Sequence, residues 1–165
     1  MVSTQLKEVG KVKVLVIYDT VSQAKVTGKV AETVVAAMRE SGASVDSFFV
    51  EDAGKANIKD YDCLVVGAPT MAWRPSTRMK DFLANLKGTD YSGKMAASFD
   101  TQMKSGISGN ATKHMDKGLT ALGFKIASPA LISYVESENK VYRLKEGELE
   151  KAKAWGQELI KKSLK

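Results

Sequence analysis

Thr20, Ser22 and Thr27 lie between an apolar run and an amphipathic stretch. The run, residues 12–19, reads V-K-V-L-V-I-Y-D. A short apolar run rich in β-branched residues fits a strand buried on both faces. The stretch after it repeats apolar residues at Val30, Val34 and Met38, with Ala31, Val35 and Ala37 beside them. That spacing makes one face of a helix. Thr27 is placed as its N-cap, with the side-chain oxygen turned back to the free N–H groups of the first turn. Strand, hydroxyl-rich loop and helix N-terminus together form a phosphate-holding geometry, because free N–H groups and the positive end of the helix dipole converge there. Lys25, in the same loop, either adds charge to that site or points to solvent; the residues alone leave both open.

Other reactive side chains are sparse. His114 is the sole histidine, lies in a helical stretch near Lys113 and Asp116, and reads as surface. Cys63 sits in an apolar run and reads as a small buried hydrophobe. One histidine and one cysteine do not make a zinc site. No general acid, base or nucleophile constellation is visible.

The elements that must position these residues follow from periodicity. Residues 45–50, 63–67, 95–99 and 124–135 carry further strand signals, the last interrupted by Pro129. Residues 141–144 suit a small hairpin arm. Helix faces are marked by Met79, Phe82, Leu83 and Leu86, by Met115, Leu119 and Leu122, and by Leu149, Ala152, Trp155, Leu159 and Ile160, with Trp155 read as core. Strand and helix signals alternate along the chain, which predicts an α/β fold: a three-layer α/β/α sandwich on a five-stranded parallel sheet. Ligands of such sheets sit outside the strand C-termini. The predicted site is therefore formed by the loops 20–27, 68–75 and 100–109.

With 165 residues the chain has the size of one domain, 1–165, with residues 1–11 as a polar lead-in. No apolar stretch approaches the length of a membrane span. The absence of a basic, apolar leader and the lone cysteine favour the cytoplasm. The net charge is +6, but the lysines are scattered, which reads as a solvated surface rather than a nucleic-acid patch.

The chain resembles the flavodoxin family over nearly its whole length. The resemblance rests on Y-D-T followed by T-G-K-V-A-E, on V-V-G-A-P-T-M-A-W-R-P-S-T-R-M-K-D-F-L, and on G-K-M-A-A-S-F-D-T with L-G-F-K-I. The ending L-K-E-G-E-L-E-K-A-K-A-W-G is similar to one branch of that family. The resemblance implies a sheet of order 2-1-3-4-5 and non-covalent FMN. It implies a phosphate loop in which Thr20 takes the first place and Thr27 the last, with Ser22, Gln23, Ala24, Lys25 and Val26 between. This loop is longer than the family pattern and lacks its glycine, which elsewhere lets backbone approach a phosphate closely. The resemblance further places Pro69, Thr70, Met71, Ala72 and Trp73 along the isoalloxazine ring, with Trp73 stacking on it. Asp100, Thr101, Gln102 and Met103 then meet the pyrimidine end through backbone N–H groups. No aromatic lies between Phe99 and Phe124, so one ring face is expected to be open. The implied function is electron transfer between redox partners, as a monomer or weak dimer. The basic charge points to partners with acidic surfaces, while the scatter of the lysines and the lack of a span-length apolar stretch argue against nucleic acid and membrane. The altered loop and missing glycines leave open a flavodoxin-fold module that binds FMN weakly or not at all and acts through protein partners, and the open ring face leaves open an FMN-dependent quinone-type reductase; without an acid, base or nucleophile constellation, the resemblance favours a carrier over an enzyme with its own substrate.

Overall fold

In the computed structural model, which describes residues 11–20, 25–71, 74–103, 111–139 and 141–163, strand β1 (Lys13–Tyr18) runs through the centre of a sheet. Val14, Leu15, Val16 and Ile17 are all fully buried, as a run with no polar face requires. Helix α1 (Val26–Glu40) follows. It ends at Gly42, whose φ of 100° lets Gly42 N–H reach the Arg39 carbonyl and Ala43 N–H reach that of Met38, both at 3.1 Å. Next come β2 (Ser44–Phe49), two 3-10 turns (Val50–Lys55 and Ile58–Asp60) and β3 (Cys63–Met71). The short β4 (Arg74–Pro75) leads into α2 (Thr77–Asn85), β5 (Met95–Met103) and α3 (Ala111–Ala121). Then follow β6 (Lys125–Ile126), β7 (Leu131–Glu138), β8 (Val141–Leu144) and α4 (Glu148–Ser163).

The main path of the sheet is β2-β1-β3-β5-β7-β8. Its first five strands are parallel and reproduce the expected order, and the described residues add three short strands to it. β8 pairs antiparallel with β7 as the expected hairpin arm. β4 folds back on β3, and β6 pairs with β5 below β7. The split between β6 and β7 falls at Pro129, which has no N–H for a ladder. Its carbonyl accepts from Trp155 Nε1 at 2.8 Å. Trp155 thus stands half-buried at the rim, edge-on to the ring of Phe99, and not in the core proper.

Two apolar layers flank the sheet. One, beneath α1 and α4, is built on Val14, Val16, Val34, Met38, Phe99 and Leu159. Here α4 lies close on α1: a Cβ on Gly156 would come within 3.1 Å of Ala37 Cβ and of the Val34 carbonyl. The other, beneath α2, α3 and the 3-10 turns, contains Leu15, Ile17, Leu64, Met79 and Met115. Cys63 is buried as expected, and burial beside Asp62 pushes its thiol up to about 12. His114 lies exposed on α3. Among the described residues no helix is long and apolar enough to cross a membrane.

β3 and β5 extend further than the apolar pattern indicates. Residues 68–71 and 100–103, expected as loop, are strand. Ladder pairing carries them: β5 bonds β3 as far as Thr101 opposite Pro69, and bonds β7 from Phe99 to Met103.

Candidate functional site

The C-terminal ends of β1, β3 and β5 and the N-terminus of α1 meet on one side of the sheet. At the end of β1, Asp19 N–H donates to the Gly67 carbonyl at 2.9 Å, tying it to β3. Asp19 is fully buried and is met by Arg78 of α2, with Nη2 2.7 Å from Oδ1 and Nε 3.2 Å from Oδ2. Arg78 also bonds Glu51 at 3.0 Å, reaches the Thr20 carbonyl at 3.4 Å and lies 5.0 Å over the Phe49 ring. These carboxylates raise the Arg78 pKa. The next residue, Thr20, has its Oγ1 buried with no hydrogen-bond partner among the described residues. It lies against the first turn of α1, where a Cβ on Gly28 would be 3.7 Å from Thr20 Cγ2.

Lys25, not Thr27, caps α1. Lys25 adopts the left-handed conformation, φ 50° and ψ 44°, and its carbonyl accepts from Lys29 N–H at 3.1 Å. The helix therefore starts at Val26, and Thr27 falls inside its first turn. The Thr27 hydroxyl is engaged sideways, 2.7 Å from Thr101 Oγ1 on β5, so it is not turned to the helix N–H groups. The N–H groups of Val26, Thr27 and Gly28 precede the first intrahelical bond and point out of the helix end. Lys25 itself is exposed. Ser22, Gln23, Ala24, Ala72 and Trp73 lie outside the described residues, so the expected phosphate-loop centre and the expected ring-stacking tryptophan do too.

From the α1 end a cavity of about 360 Å³ runs across the sheet. Val26, Thr27, Pro69, Thr70, Met71, Thr101, Gln102 and Met103 line it, which brings together expected residues from all three loops. Sequence reasoning missed two more lining residues, Val135 of β7 and Tyr142 of β8. Tyr142 brings to the cavity an aromatic from outside the three loops; its position depends on the β7–β8 hairpin, and no local pattern marks it. Met71, Met103 and Tyr142 are 48%, 39% and 45% exposed. An exposed apolar cluster around a concave site marks a place where something binds.

The 100–103 segment meets this cavity differently from the expectation. It is strand, and its ladder to β7 takes up part of the N–H groups that a free loop would offer. What lines the cavity from this strand are Thr101, Gln102 and Met103, and strand alternation puts Thr101 and Met103 on the face of α1. Asp100 points to the other face and is fully buried. Its Oδ2 accepts from Thr70 Oγ1 and from Gln102 Nε2, each at 2.9 Å. Burial pushes its pKa up to about 6, against the pull of those two bonds and of the Ala111 and Thr112 N–H groups that open α3.

No protein-family model matches the sequence, and no curated protein matches it. Solved structures do. The chain is similar to flavodoxin 1 from Bacillus cereus, with a TM-score of 0.74 and 22% identity over 90% of this chain and 97% of that one. Flavodoxin 2 from the same organism aligns with a TM-score of 0.77 and 19% identity, over 91% and 99%. Rubredoxin oxygen:oxidoreductase from Desulfovibrio gigas aligns with a TM-score of 0.70 and 22% identity, over 96% of this chain but 38% of that one. The protein has the flavodoxin-like α/β fold.

Proposed function

We propose that this chain binds FMN non-covalently and carries electrons between redox proteins. The cavity beside α1 carries the reading, because its two ends differ as the two ends of FMN do. At one end is the N-terminus of α1, whose Val26 and Thr27 line the cavity, and beside that first turn lie Lys25 and the Thr20 hydroxyl, which has no partner among the described residues; this end suits a phosphate. At the other, Met71, Met103 and Tyr142 offer apolar surface to a flat ring. The volume of about 360 Å³ falls in the range of small-ligand sites.

In this reading Thr20, Ser22, Gln23, Ala24, Lys25, Val26 and Thr27 surround the phosphate. Pro69, Thr70, Met71, Ala72 and Trp73 flank the ring on the β3 side. Asp100, Thr101, Gln102 and Met103 flank it on the β5 side, with Asp100 acting from behind the wall. Bound FMN supplies a ring that accepts and returns one or two electrons, and the protein orients it and sets its electrostatic surroundings. The net charge of +6 favours acidic partner surfaces, so association weakens as salt rises.

The test is a titration of the flavin-free chain with FMN and riboflavin, followed by flavin fluorescence. FMN held at least about tenfold more tightly than riboflavin is the expected result, equivalent to about 1.4 kcal/mol for the phosphate. Equal, weak binding of the two removes the phosphate site. No binding of either removes the carrier reading and favours a module acting through protein partners. Flavin-dependent turnover of a quinone with a nicotinamide reductant replaces the carrier with a reductase.

A further inference from the structure

The strand that leads into the phosphate end carries a buried acid. Asp19 directly follows β1, is fully buried, and is one residue from Thr20. The first turn of α1 packs on this stretch: a Cβ on Gly28 would lie 3.7 Å from Thr20 Cγ2 and 3.8 Å from Tyr18 Cε2. Strand alternation turns Tyr18 and Thr20 to α1 and the Asp19 carboxylate to the other face, where Arg78 of α2 meets it. One strand thus separates a buried negative charge from the helix end that suits a phosphate. Buried charges are screened far less than exposed ones, so this charge is felt across the strand.

Arg78 is the cation that answers it. Its Nη2 and Nε meet the two Asp19 oxygens at 2.7 and 3.2 Å, and among the described residues no other cation pairs with Asp19. Nη2 also reaches the Thr20 carbonyl at 3.4 Å, which carries the positive charge to the point where the chain leaves β1 for the loop. The same guanidinium bonds Glu51 at 3.0 Å, but Glu51 is 64% exposed and water screens it. The balance near the helix end is therefore set by the fixed pair, one buried carboxylate against one guanidinium.

We propose that Arg78 determines the preference of this site for a phosphate monoester: by cancelling the Asp19 charge it lets a phosphate dianion settle at the N-terminus of α1. Arg78 does not touch the ligand in this role; it acts through Asp19, as a positioning residue for charge. The role rests on the FMN reading, which places a phosphate at that end. Without Arg78 the α1 end faces an uncompensated carboxylate, which opposes the helix dipole and Lys25. With Asp19 neutral, Arg78 has one acid fewer to answer, and its charge is freed toward the ligand.

The experiment titrates wild type, Arg78→Met, Asp19→Asn and the double variant with FMN and with riboflavin, followed by flavin fluorescence at pH 8 and low salt. At that pH the FMN phosphate is a dianion, and riboflavin, which has no phosphate, reports the ring end alone. A unit charge roughly 10 Å from a dianion, at an effective dielectric of about 20 and with screening, changes affinity on the order of tenfold. Arg78→Met is therefore expected to narrow the preference for FMN over riboflavin about tenfold, with riboflavin affinity unchanged. Asp19→Asn is expected to widen it about threefold, less because Arg78 is half-exposed and still holds Glu51. The double variant should return to about the wild-type preference. A merely structural role predicts otherwise: riboflavin affinity would fall along with that for FMN, and Asp19→Asn would not widen the preference. An unchanged preference in Arg78→Met, or a double variant as poor as Arg78→Met, overturns the proposal. If Arg78→Met fails to fold, Asp19→Asn decides alone, and a preference that stays the same or narrows overturns it. A wild type that holds both flavins equally removes the phosphate site and this role with it, whereas a wild-type preference that ignores all three variants removes this role only.

Discussion

Replacing Arg78 with Met should destabilise the protein by about 3 kcal/mol, nearly all of it through Asp19. Arg78 makes three kinds of contact, and their environments rank them. The Glu51 contact joins side chains that are 40% and 64% exposed, and such pairs contribute at most about 1 kcal/mol. The guanidinium over Phe49 adds about 0.5–1 kcal/mol at a site this open. Asp19 is different: its side chain is 0% exposed, and Arg78 grips both its oxygens. Breaking a buried pair by removing one partner costs roughly 3–5 kcal/mol, because a charge is left without compensation. The low end applies here, since Arg78 is itself 40% exposed and water can follow it inward. Met keeps much of the stem packing, which isolates the charge. The assay is urea denaturation of the wild type, Arg78→Met, Asp19→Asn and the double variant. Asp19→Asn alone should lose about 1 kcal/mol, the scale of a hydrogen bond. The double variant should be more stable than Arg78→Met, because a neutral amide in place of the Asp19 carboxylate needs no counter-charge. An Arg78→Met chain within about 0.5 kcal/mol of wild type, or strictly additive losses, would refute the reasoning.

Gly67→Ala should cost about 3 kcal/mol, at the upper end for overpacking, because the new Cβ would overlap the ring of the buried Phe99; thermal unfolding with and without Phe99→Leu checks this, and the second change should recover part of the loss. Lys25→Gly should raise stability by up to about 1 kcal/mol by relieving the left-handed backbone, as read by urea midpoint, while lowering affinity for FMN and leaving riboflavin unaffected. Asp100 makes stability fall as pH rises from about 4 to about 6, because its native pKa of about 6 lies above the ordinary 3.8 and the native state binds more protons in that window. The gap is worth roughly 3 kcal/mol at most. Urea midpoints across that range should slope less in Asp100→Ala; an equal slope would place the effect on other groups.

Much of this architecture is legible in the residues themselves, because local chemistry sets it. The run 14–17 has no polar face, is short and β-branched, and fits a strand covered on both sides. The stripe at Val30, Val34 and Met38 admits only a helix laid on that strand, and Gly42 ends it where a positive φ is needed. The alternation of such elements leads to a parallel sheet and to a site at its C-terminal edge, where the cavity lies. The tertiary structure decided the rest. Residues 100–103 begin with three polar side chains and read as loop, yet β3 and β7 offer ladders on either side and draw them into the sheet. Thr27 has the side chain of a cap, but Lys25 takes that place and Thr101 claims the hydroxyl from across the fold. Tyr142 reaches the cavity only because the β7–β8 hairpin brings it there, and Asp19 is stable in the core only because Arg78 arrives from another helix. Periodicity and caps are properties of neighbours along the chain, so a sequence displays them. A buried charge, an orphan hydroxyl or a shared wall depends on which distant segment lies opposite, and that is settled only when the layers close.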